Sequence, residues 1–248
     1  MMKSSSAGKG LLVVLAMTLC STVLFAANKP WKTKPFQQWD AKDVQQIMTN
    51  SPWVRVTTVP RSWLSVAEKN VPPEQQIGGG VRSMPGPGGA TSRESEASQQ
   101  QLNVYVYWDS AHVMREASAR NAVLHGTMND SDADKYASAQ QEEYQIVLYM
   151  ADMTPFVKND EKFFLDKAYI QTRRGKLKLP PSQIKYDRNS SGGLKDVIFF
   201  FPKKTSSGEP TVAPNEKEVS FECKFGGGSG VHVNFDIQQM SGAGGPDL

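Results

Sequence analysis

Cysteine and histidine, which most often cross-link or metallate a small fold, are scarce in this sequence. The 248 residues include two cysteines and three histidines. Cys20 belongs to an apolar N-terminal run, so Cys223 alone would remain if that run were removed, and a lone cysteine cannot form an internal disulfide. Neither Cys-x-x-Cys nor His-x-x-x-His spacing, which would indicate zinc, occurs. The fold must therefore be held by packing, and we predict no metal or cofactor.

The sequence also lacks a strong charge of either sign. Its formal net charge is +3, and residues 1–26 contain two lysines and no acid, so removing them lowers the charge from +3 to +1. A near-neutral chain is not drawn over long distances to nucleic acid or to membrane surfaces. We therefore expect no nucleic-acid partner, and a membrane contact only through the N-terminal segment if that segment stays uncut.

That N-terminal segment has the pattern of an export signal. Lys3 and Lys9 precede an apolar run over 11–27 that ends in small residues. The pattern predicts a signal peptide that is cleaved after Ala26. Two alternatives remain open, because the run is close to the shortest bilayer span and could be an uncut anchor, and Cys20 could be the lipidated residue of a lipoprotein. Each of them places the folded part outside the cytoplasm, in the periplasm or secreted.

The sequence from 28 to 155 predicts a mixed α/β part. An extended lead-in over 28–39 is followed by a helix that Asp40 caps. A stretch rich in proline, glycine and serine over 71–101 buries almost nothing and predicts a flexible insertion. The remaining segments alternate between the two types, with strands at 53–59, 102–108 and 144–150 and helices at 111–124 and 132–141. The two later strands are expected side by side, joined by a crossover that is right-handed if they are parallel.

The sequence from 156 to 240 predicts a β-rich part, which makes the whole chain α+β with a boundary near residue 155. Its strands recur about every ten residues, as in an antiparallel sandwich or meander. The last two are separated by a glycine-rich loop over 226–230, typical of a hairpin. Cys223 shares one face of the first of these strands with Val219 and Phe221, so we interpret it as a buried, inert thiol. The tail over 241–248 is expected to be loose.

Several short segments resemble a group of exported bacterial proteins of unassigned function, some of which carry a domain named for a Gly-Trp-x-Thr-Asp motif. The motif itself does not occur in this sequence. The resemblance spans 36–240 and implies an exported, envelope-associated α+β protein, without assigning any catalytic residue. The segments that carry it are Asp43-Val44, Asn50-Ser51-Pro52-Trp53, Trp108-Asp109-Ser110-Ala111, Ile198-Phe199-Phe200-Phe201-Pro202 and the ending around Phe235-Asp236-Ile237 to Met240.

Asp109, Ser110 and His112 invite comparison with a catalytic triad. A nucleophilic serine needs a base within hydrogen-bond reach. At the start of a helix, positions 110 and 112 point about 200° apart, so this pair cannot form that contact. No Gly-x-Ser-x-Gly elbow is present either. We therefore interpret Asp109 and Ser110 as the N-cap of the helix that begins at Ala111.

Two charged clusters have simple structural interpretations. Asp130, Asp132 and Asp134 match the first half of a calcium loop, but the glycine and the glutamate that such a loop requires later are missing. These acids fit a helix N-terminus better. The basic cluster of Arg173, Arg174, Lys176 and Lys178 could face phosphate or an acidic partner, although a solvated hairpin is the commoner explanation. His112, His125 and His232 lack ligand spacing, and none is assigned as a ligand.

The tryptophans supply the candidate binding residues. Trp53 and Trp108 accompany strands and are expected in the core, whereas Trp31 and Trp39 lie in the lead-in and are candidates for a docking surface. We therefore predict a non-enzymatic envelope protein that binds another protein or a surface polymer. The alternative is an extracytoplasmic hydrolase whose catalytic residues are far apart in sequence. Acids or histidines that converge in a deep pocket would favour the enzyme, and a shallow aromatic patch would favour binding.

Overall fold

The fold is α+β and rich in strands, as predicted. The computed structural model describes residues 29–63, 101–174, 176, 178–242 and 245–248, which form six α-helices and eleven strands. The predicted signal segment 1–26 lies outside the described residues, as does the predicted insertion except for its last residue, Gln101, which begins a strand.

Helices occur before β1, between β2 and β3 and between β3 and β4, whereas the chain after β4 has strands only. The helices are α1 Pro30–Thr33, α2 Ala41–Thr49, α3 His112–Leu124, α4 Asp130–Ser138, α5 Thr154–Lys158 and α6 Glu161–Leu165, with one 3₁₀ turn at Phe36–Gln38. The strands are β1 Val54–Pro60, β2 Gln101–Trp108, β3 Glu143–Met150, β4 Ala168–Thr172, β5 Lys178–Leu179, β6 Gln183–Arg188, β7 Leu194–Pro202, β8 Glu218–Gly226, β9 Ser229–Asp236, β10 Ser241–Gly242 and β11 Gly245–Pro246.

The N-terminal segment predicted to be extended is largely helical. Pro30 occupies the first position of α1, where its fixed φ suits the helix and its missing N–H is not needed. The predicted cap of α2 is confirmed. Asp40 accepts hydrogen bonds from the amides of Lys42 and Asp43, and the Asp43 carboxylate accepts one from the Asp40 amide, which completes a capping box.

The larger sheet has five strands in the order β1-β2-β3-β7-β6, and every pair is antiparallel. β2 and β3 are neighbours, as predicted. They are antiparallel, so the rule for the handedness of a parallel crossover does not apply to their connection. β3 also pairs with β7, with Ile146 opposite Phe199. A central strand must find backbone partners on both edges, and here one partner lies beyond the predicted boundary near residue 155. The two predicted parts therefore share one sheet.

The smaller sheet has four antiparallel strands in the order β5-β4-β8-β9. The predicted hairpin between β8 and β9 is confirmed, and Gly226, Gly227 and Gly228 turn the chain with φ values of 87°, 59° and 79°, a region open to glycine. The predicted burial of Cys223 is also confirmed. Its side chain is fully buried beside Phe221, and burial raises the pKa of the thiol well above its ordinary value, which disfavours the reactive thiolate.

The two sheets pack face to face, and their inner faces form the core. Phe199 of the larger sheet meets Phe221 of the smaller one edge to face, with ring centroids 5.2 Å apart. Trp108 meets Phe235 at the same centroid distance and also edge to face. Such aromatic pairs add about 1 kcal/mol each to the burial of their area. Because both inner faces are buried against each other, the outer faces of the two sheets lie on opposite sides of the molecule.

The N-terminus of α3 is capped from a distant part of the chain. The carboxylate of Asp247 accepts hydrogen bonds from the amides of His112 and Val113, at 2.6 and 2.9 Å. The prediction that Asp109 and Ser110 cap this helix is wrong. The helix begins one residue later than predicted, at His112, and Ala111 stands at the N-cap with no side-chain acceptor. Asp247 supplies the missing acceptor and a negative charge at the positive end of the helix dipole.

The same interaction overturns the prediction that residues 241–248 are loose. Its described residues form the small hairpin of β10 and β11. The indole Nε1 of Trp53, which is fully buried, donates to the Asp247 carbonyl at 2.9 Å, and the Asp247 amide donates to the Met240 carbonyl at the same distance. A buried indole N–H must find an acceptor, and the tail provides it, which fixes the C-terminus against the sandwich.

Candidate functional site

A row of tyrosines crosses the outer face of the larger sheet. Tyr105 and Tyr107 are two residues apart on β2 and therefore point to the same side, and Tyr149 on β3 lies directly opposite Tyr105. The ring centroids of Tyr105 and Tyr107 are 6.5 Å apart with an interplanar angle of 11°, and those of Tyr105 and Tyr149 are 6.0 Å apart. Tyr149 is 40% exposed. We call these three residues the tyrosine strip.

The tyrosine strip forms one wall of a shallow cavity of about 570 Å³. Its remaining lining is aliphatic or carries neutral hydrogen-bonding groups, from Thr58, Gln101, Leu102, Asn103 and Ala151. Among the described residues, no charged side chain lines it. Rings that offer flat apolar faces beside hydroxyl and amide groups suit a ligand that has both apolar C–H surfaces and hydroxyl groups. The antiparallel strands hold the rings in fixed register, so the arrangement exists before any ligand binds.

Three ionisable groups at the strip have raised pKa values. Burial is the main cause that raises the pKa of the Tyr107 phenol to about 12. At the end of β2, burial raises the pKa of Asp109, and the charge of Asp196 on β7 adds to the effect. The pKa of Asp196 is also raised, again mainly by burial. The Tyr107 hydroxyl therefore keeps its proton and can donate a hydrogen bond, and the two acids favour their protonated forms more than exposed acids do.

The structure places the predicted docking residues, Trp31 and Trp39, in the core. Trp31 is 5% exposed and Trp39 is 1% exposed. Trp31 packs edge to face on Trp53 with centroids 5.6 Å apart, and the indole N–H of Trp39 donates to the Lys34 carbonyl at 3.2 Å. The prediction assumed an extended, exposed lead-in, and helix formation instead folds both indoles inward. They still border a groove of about 700 Å³ between α1, the start of α3 and the tail.

Acids and a histidine also border that groove, but their hydrogen-bonding capacity is occupied. The Nδ1 atom of His112 lies 2.9 Å from the Ala137 carbonyl and its Nε2 lies 3.2 Å from a Glu116 carboxylate oxygen. Two acceptors around one ring favour imidazolium, and the hydrogen bond with Glu116 is the main cause of the raised pKa of His112. Both carboxylate oxygens of Asp247 are taken by α3 amides. The described side chains at this groove therefore stabilise the N-terminus of α3, and His112 and Asp247 are not free to act as bases.

The other residues considered for chemistry have structural roles. Ser110 is buried, and its hydroxyl has no hydrogen-bond partner among the described residues. Asp130 and Asp132 lie in the first turn of α4, where the amide of Asp132 donates to the N-cap Asn129. Residue His125 follows the end of α3, as predicted. Across the described ranges, no group of three histidine, cysteine or acidic side chains is placed to hold a metal ion.

No protein-family model, curated protein or solved structure matches the chain. Among the helices that the structure describes, none has both the length and the apolar character to cross a bilayer. Functional inference therefore rests on the geometry of this chain's own side chains. The tyrosine strip was not among the sequence-based candidates. Its signal was present in the alternation of β2, where Tyr105 and Tyr107 share the face opposite to Val104, Val106 and Trp108.

Proposed function

We propose that this protein is an exported, non-enzymatic module that binds a neutral polysaccharide on the tyrosine strip. The observation that carries the proposal is the composition of the 570 Å³ cavity, which combines three tyrosine rings with amide and hydroxyl groups and no charge. Sugar rings present C–H faces that stack on aromatic rings and hydroxyl edges that hydrogen-bond to amides. The shallow, open form of the site suits a polymer that passes across the sheet.

The chemistry around the strip supports a sugar ligand over a protein ligand. Hot spots in protein interfaces are enriched in tryptophan, tyrosine and arginine, and they lie in desolvated pockets that surrounding contacts close to water. Here Asn103, Thr58 and Gln101 surround the rings instead. The export signal predicted for the N-terminus, together with the resemblance to exported proteins, supports a location where cell-surface polymers are available. Both remain predictions.

A glycoside hydrolase is the second candidate, because Asp109 and Asp196 flank the same outer face. Glycosidases use two carboxyl groups, one of which has a raised pKa and donates a proton to the leaving oxygen. Burial gives Asp109 that property. The same incubations that test binding can therefore be assayed for new reducing ends. Reducing ends formed by the wild type and lost in Asp109→Asn would establish hydrolysis in place of simple binding.

The test of the proposed function is affinity electrophoresis of the folded protein in gels that contain soluble neutral glucans, mannans or xylans. Wild type should be retarded by at least one polymer. Tyr105→Ala and Tyr149→Ala should each weaken that retardation about fivefold, which corresponds to about 1 kcal/mol per lost ring contact. Tyr136→Ala is the matched control, because Tyr136 is 44% exposed on α4 and lies outside the cavity lining.

Two results would overturn this proposal. Wild type could migrate unchanged in every neutral polymer, which would leave the tyrosine strip without a sugar ligand. Alternatively, Tyr105→Ala and Tyr149→Ala could bind as tightly as Tyr136→Ala, which would place the sugar elsewhere on the protein. Unchanged thermal midpoints of the three variants would establish that any lost retardation reflects the missing rings and not unfolding.

A further inference from the structure

The outer face of the smaller sheet brings two lysines directly opposite each other. Ala168 pairs with Cys223, so the preceding and following residues, Lys167 and Lys224, are cross-strand neighbours, and the Lys224 amide donates to the Lys167 carbonyl at 3.0 Å. Like charges in this position repel and destabilise a sheet. In the part of the chain that the structure describes, Lys167 has no ion-pair partner, and its ammonium lies 6.0 Å from the ring of Phe163.

A cavity of about 630 Å³ opens beside these lysines. One acid, Glu222, lines it together with Lys167, Lys224 and His232. Glu222 forms an ion pair with the Lys224 ammonium at 3.6 Å and lies 3.6 Å from His232 Nδ1, while the Tyr169 hydroxyl donates to it closely. This one carboxylate offsets part of the positive charge around it, but at 3.6 Å it makes no good hydrogen bond to the ammonium. Both lysine ammonium groups therefore keep hydrogen-bond donors available for a ligand.

The cationic surface continues along β4 to the hairpin that contains the basic cluster noted in the sequence. A second cavity of about 340 Å³ is lined by Arg173 and Lys176, and His232 lines both cavities. Because His232 borders both cavities, we call the two together the trough. Lys167 and Arg173 are six positions apart along an extended strand, so the cations at the two ends of the trough are about 20 Å apart. A trough of this length suits an extended chain better than a compact ion.

Positive charge is concentrated on this face. Among the described residues, five permanent cations lie along the trough and its edge, against three carboxylates, those of Glu218, Glu222 and Asp236, the last paired in register with Glu218. The whole chain has a formal net charge of only +3, so the surplus of two positive charges on this face is a large part of the charge of the entire protein. The five cations are Lys167, Arg173, Lys176, Lys178 and Lys224. Such a local surplus attracts polyanions even though the protein as a whole is nearly neutral.

Neutral hydrogen-bonding groups occupy the middle of the trough. Gln171, Ser220 and Asn234 are paired in register across β4, β8 and β9, and all three line the second cavity. Among the described residues, two aromatic rings border the trough. The ring of Tyr169 is covered by the Lys178 ammonium, 4.4 Å from its centroid, and the ring of Phe163 lies at the Lys167 end, 6.0 Å from the Lys167 ammonium. Single-stranded nucleic acids bind by stacking successive bases on a row of aromatic rings, and the middle of the trough has polar side chains in place of such a row. Hydroxyl-rich ligands, in contrast, match the amides and the serine.

We propose that this trough binds an acidic polysaccharide, whose carboxylates pair with the cations at its two ends and whose hydroxyls meet the polar residues between them. The site is independent of the tyrosine strip, because the outer faces of the two sheets lie on opposite sides of the sandwich. The protein thus has separate surfaces for a neutral and an acidic polymer. Occupation by an anion also removes the repulsion between Lys167 and Lys224.

The test is isothermal titration of the full folded protein with oligogalacturonate at low salt. Wild type should bind, and binding should weaken as salt is raised, because exposed charges are screened. The fully methyl-esterified oligomer, which has the same sugar backbone without carboxylates, should not bind. Lys167→Ala/Lys224→Ala should weaken binding about tenfold, whereas Lys167→Arg/Lys224→Arg should keep it, because the charge is retained.

A matched control removes two lysines from elsewhere. Lys42 and Lys135 are exposed on α2 and α4, so Lys42→Ala/Lys135→Ala lowers the net charge equally without touching the trough and should change binding less than about twofold. Three results would each overturn the inference. The two double lysine-to-alanine variants could lose equal affinity for oligogalacturonate, the methyl ester could bind, or an oligonucleotide or acidic peptide could bind more tightly than oligogalacturonate. The double variant Tyr105→Ala/Tyr149→Ala should bind oligogalacturonate as tightly as wild type. The trough is therefore tested independently of the proposed neutral-polysaccharide site on the tyrosine strip.

Discussion

The C-terminal tail offers the sharpest test of the fold, because the substitution Asp247→Ala removes a cap that is 135 residues distant from the helix it serves. Two amide hydrogen bonds are lost together with a negative charge at a helix N-terminus. Loss of a cap costs about 1 kcal/mol, and loss of the charge adds about 0.5 kcal/mol. For a chain of this size, 1 kcal/mol lowers the thermal midpoint by about 2–4 °C. Asp247→Ala should therefore lower Tm by about 3–6 °C.

Scanning calorimetry of a short series of tail variants separates the contributions of the charge, the cap hydrogen bonds and the carbonyl that accepts the Trp53 indole. Asn keeps one acceptor oxygen but places an NH2 group where the second carboxylate oxygen accepts an amide. Asp247→Asn should therefore lose the charge and one of the two hydrogen bonds, about 1 kcal/mol in all, and lower Tm by about 2–4 °C. Deletion of residues 247–248 also removes the carbonyl that accepts the buried Trp53 indole, and an unsatisfied buried donor costs a further 1–3 kcal/mol or so. The expected order of stability is wild type, Asp247→Asn, Asp247→Ala and then the deletion. Equal midpoints for wild type, Asp247→Ala and the deletion would refute the docked tail.

Two further predictions concern charged groups. Hydrogen bonding to Glu116 raises the pKa of His112, so this pair stabilises the fold fully below the unfolded value of about 6.5 and loses its effect as the pH rises through the folded pKa. The Tm difference between wild type and Glu116→Gln should shrink over that range, and a difference that does not change with pH would contradict it. Arg61, whose side chain is 4% exposed, pairs with Asp152 at 2.7 Å. Asp152→Ala removes this carboxylate from a buried guanidinium and should cost about 3 kcal/mol in urea unfolding, whereas a cost below about 1 kcal/mol would argue against a strong buried pair.

Local patterns predicted the strands well, because their signal lies in neighbouring residues. Val219, Phe221 and Cys223 alternate with polar residues, and that period of two fixes both the strand and its buried face. The strand Ala168–Thr172 shows the same alternation, with Ala168, Ile170 and Thr172 buried. The glycines over 226–228 marked the hairpin, since few other residues tolerate three consecutive positive φ values.

Long-range partners were the part that the sequence did not reveal. Nothing near Ala111 shows that its helix is capped by Asp247, and nothing near β3 shows that its second neighbour is β7. For that reason composition, which changes near residue 155, did not show that the two parts share one sheet. The burial of Trp31 and Trp39 was missed in a related way, because an indole in a segment without clear periodicity is as able to fill a core as to face solvent.

The tyrosine strip shows why a binding face is harder to predict than a core. The parity of β2 separates Tyr105 and Tyr107 from Val104 and Val106, but β3 is apolar on both faces, so the side of Tyr149 could be assigned only after the inner face of the sheet was known. A sandwich needs one apolar face from each sheet. Folding would accept a threonine at each of these positions, although a cross-strand aromatic pair such as Tyr105 and Tyr149 also stabilises a sheet, by about 0.2–1 kcal/mol. Stability thus accounts for the pairing of the rings, and the proposed ligand would account for the 40% of Tyr149 that stays exposed beside them.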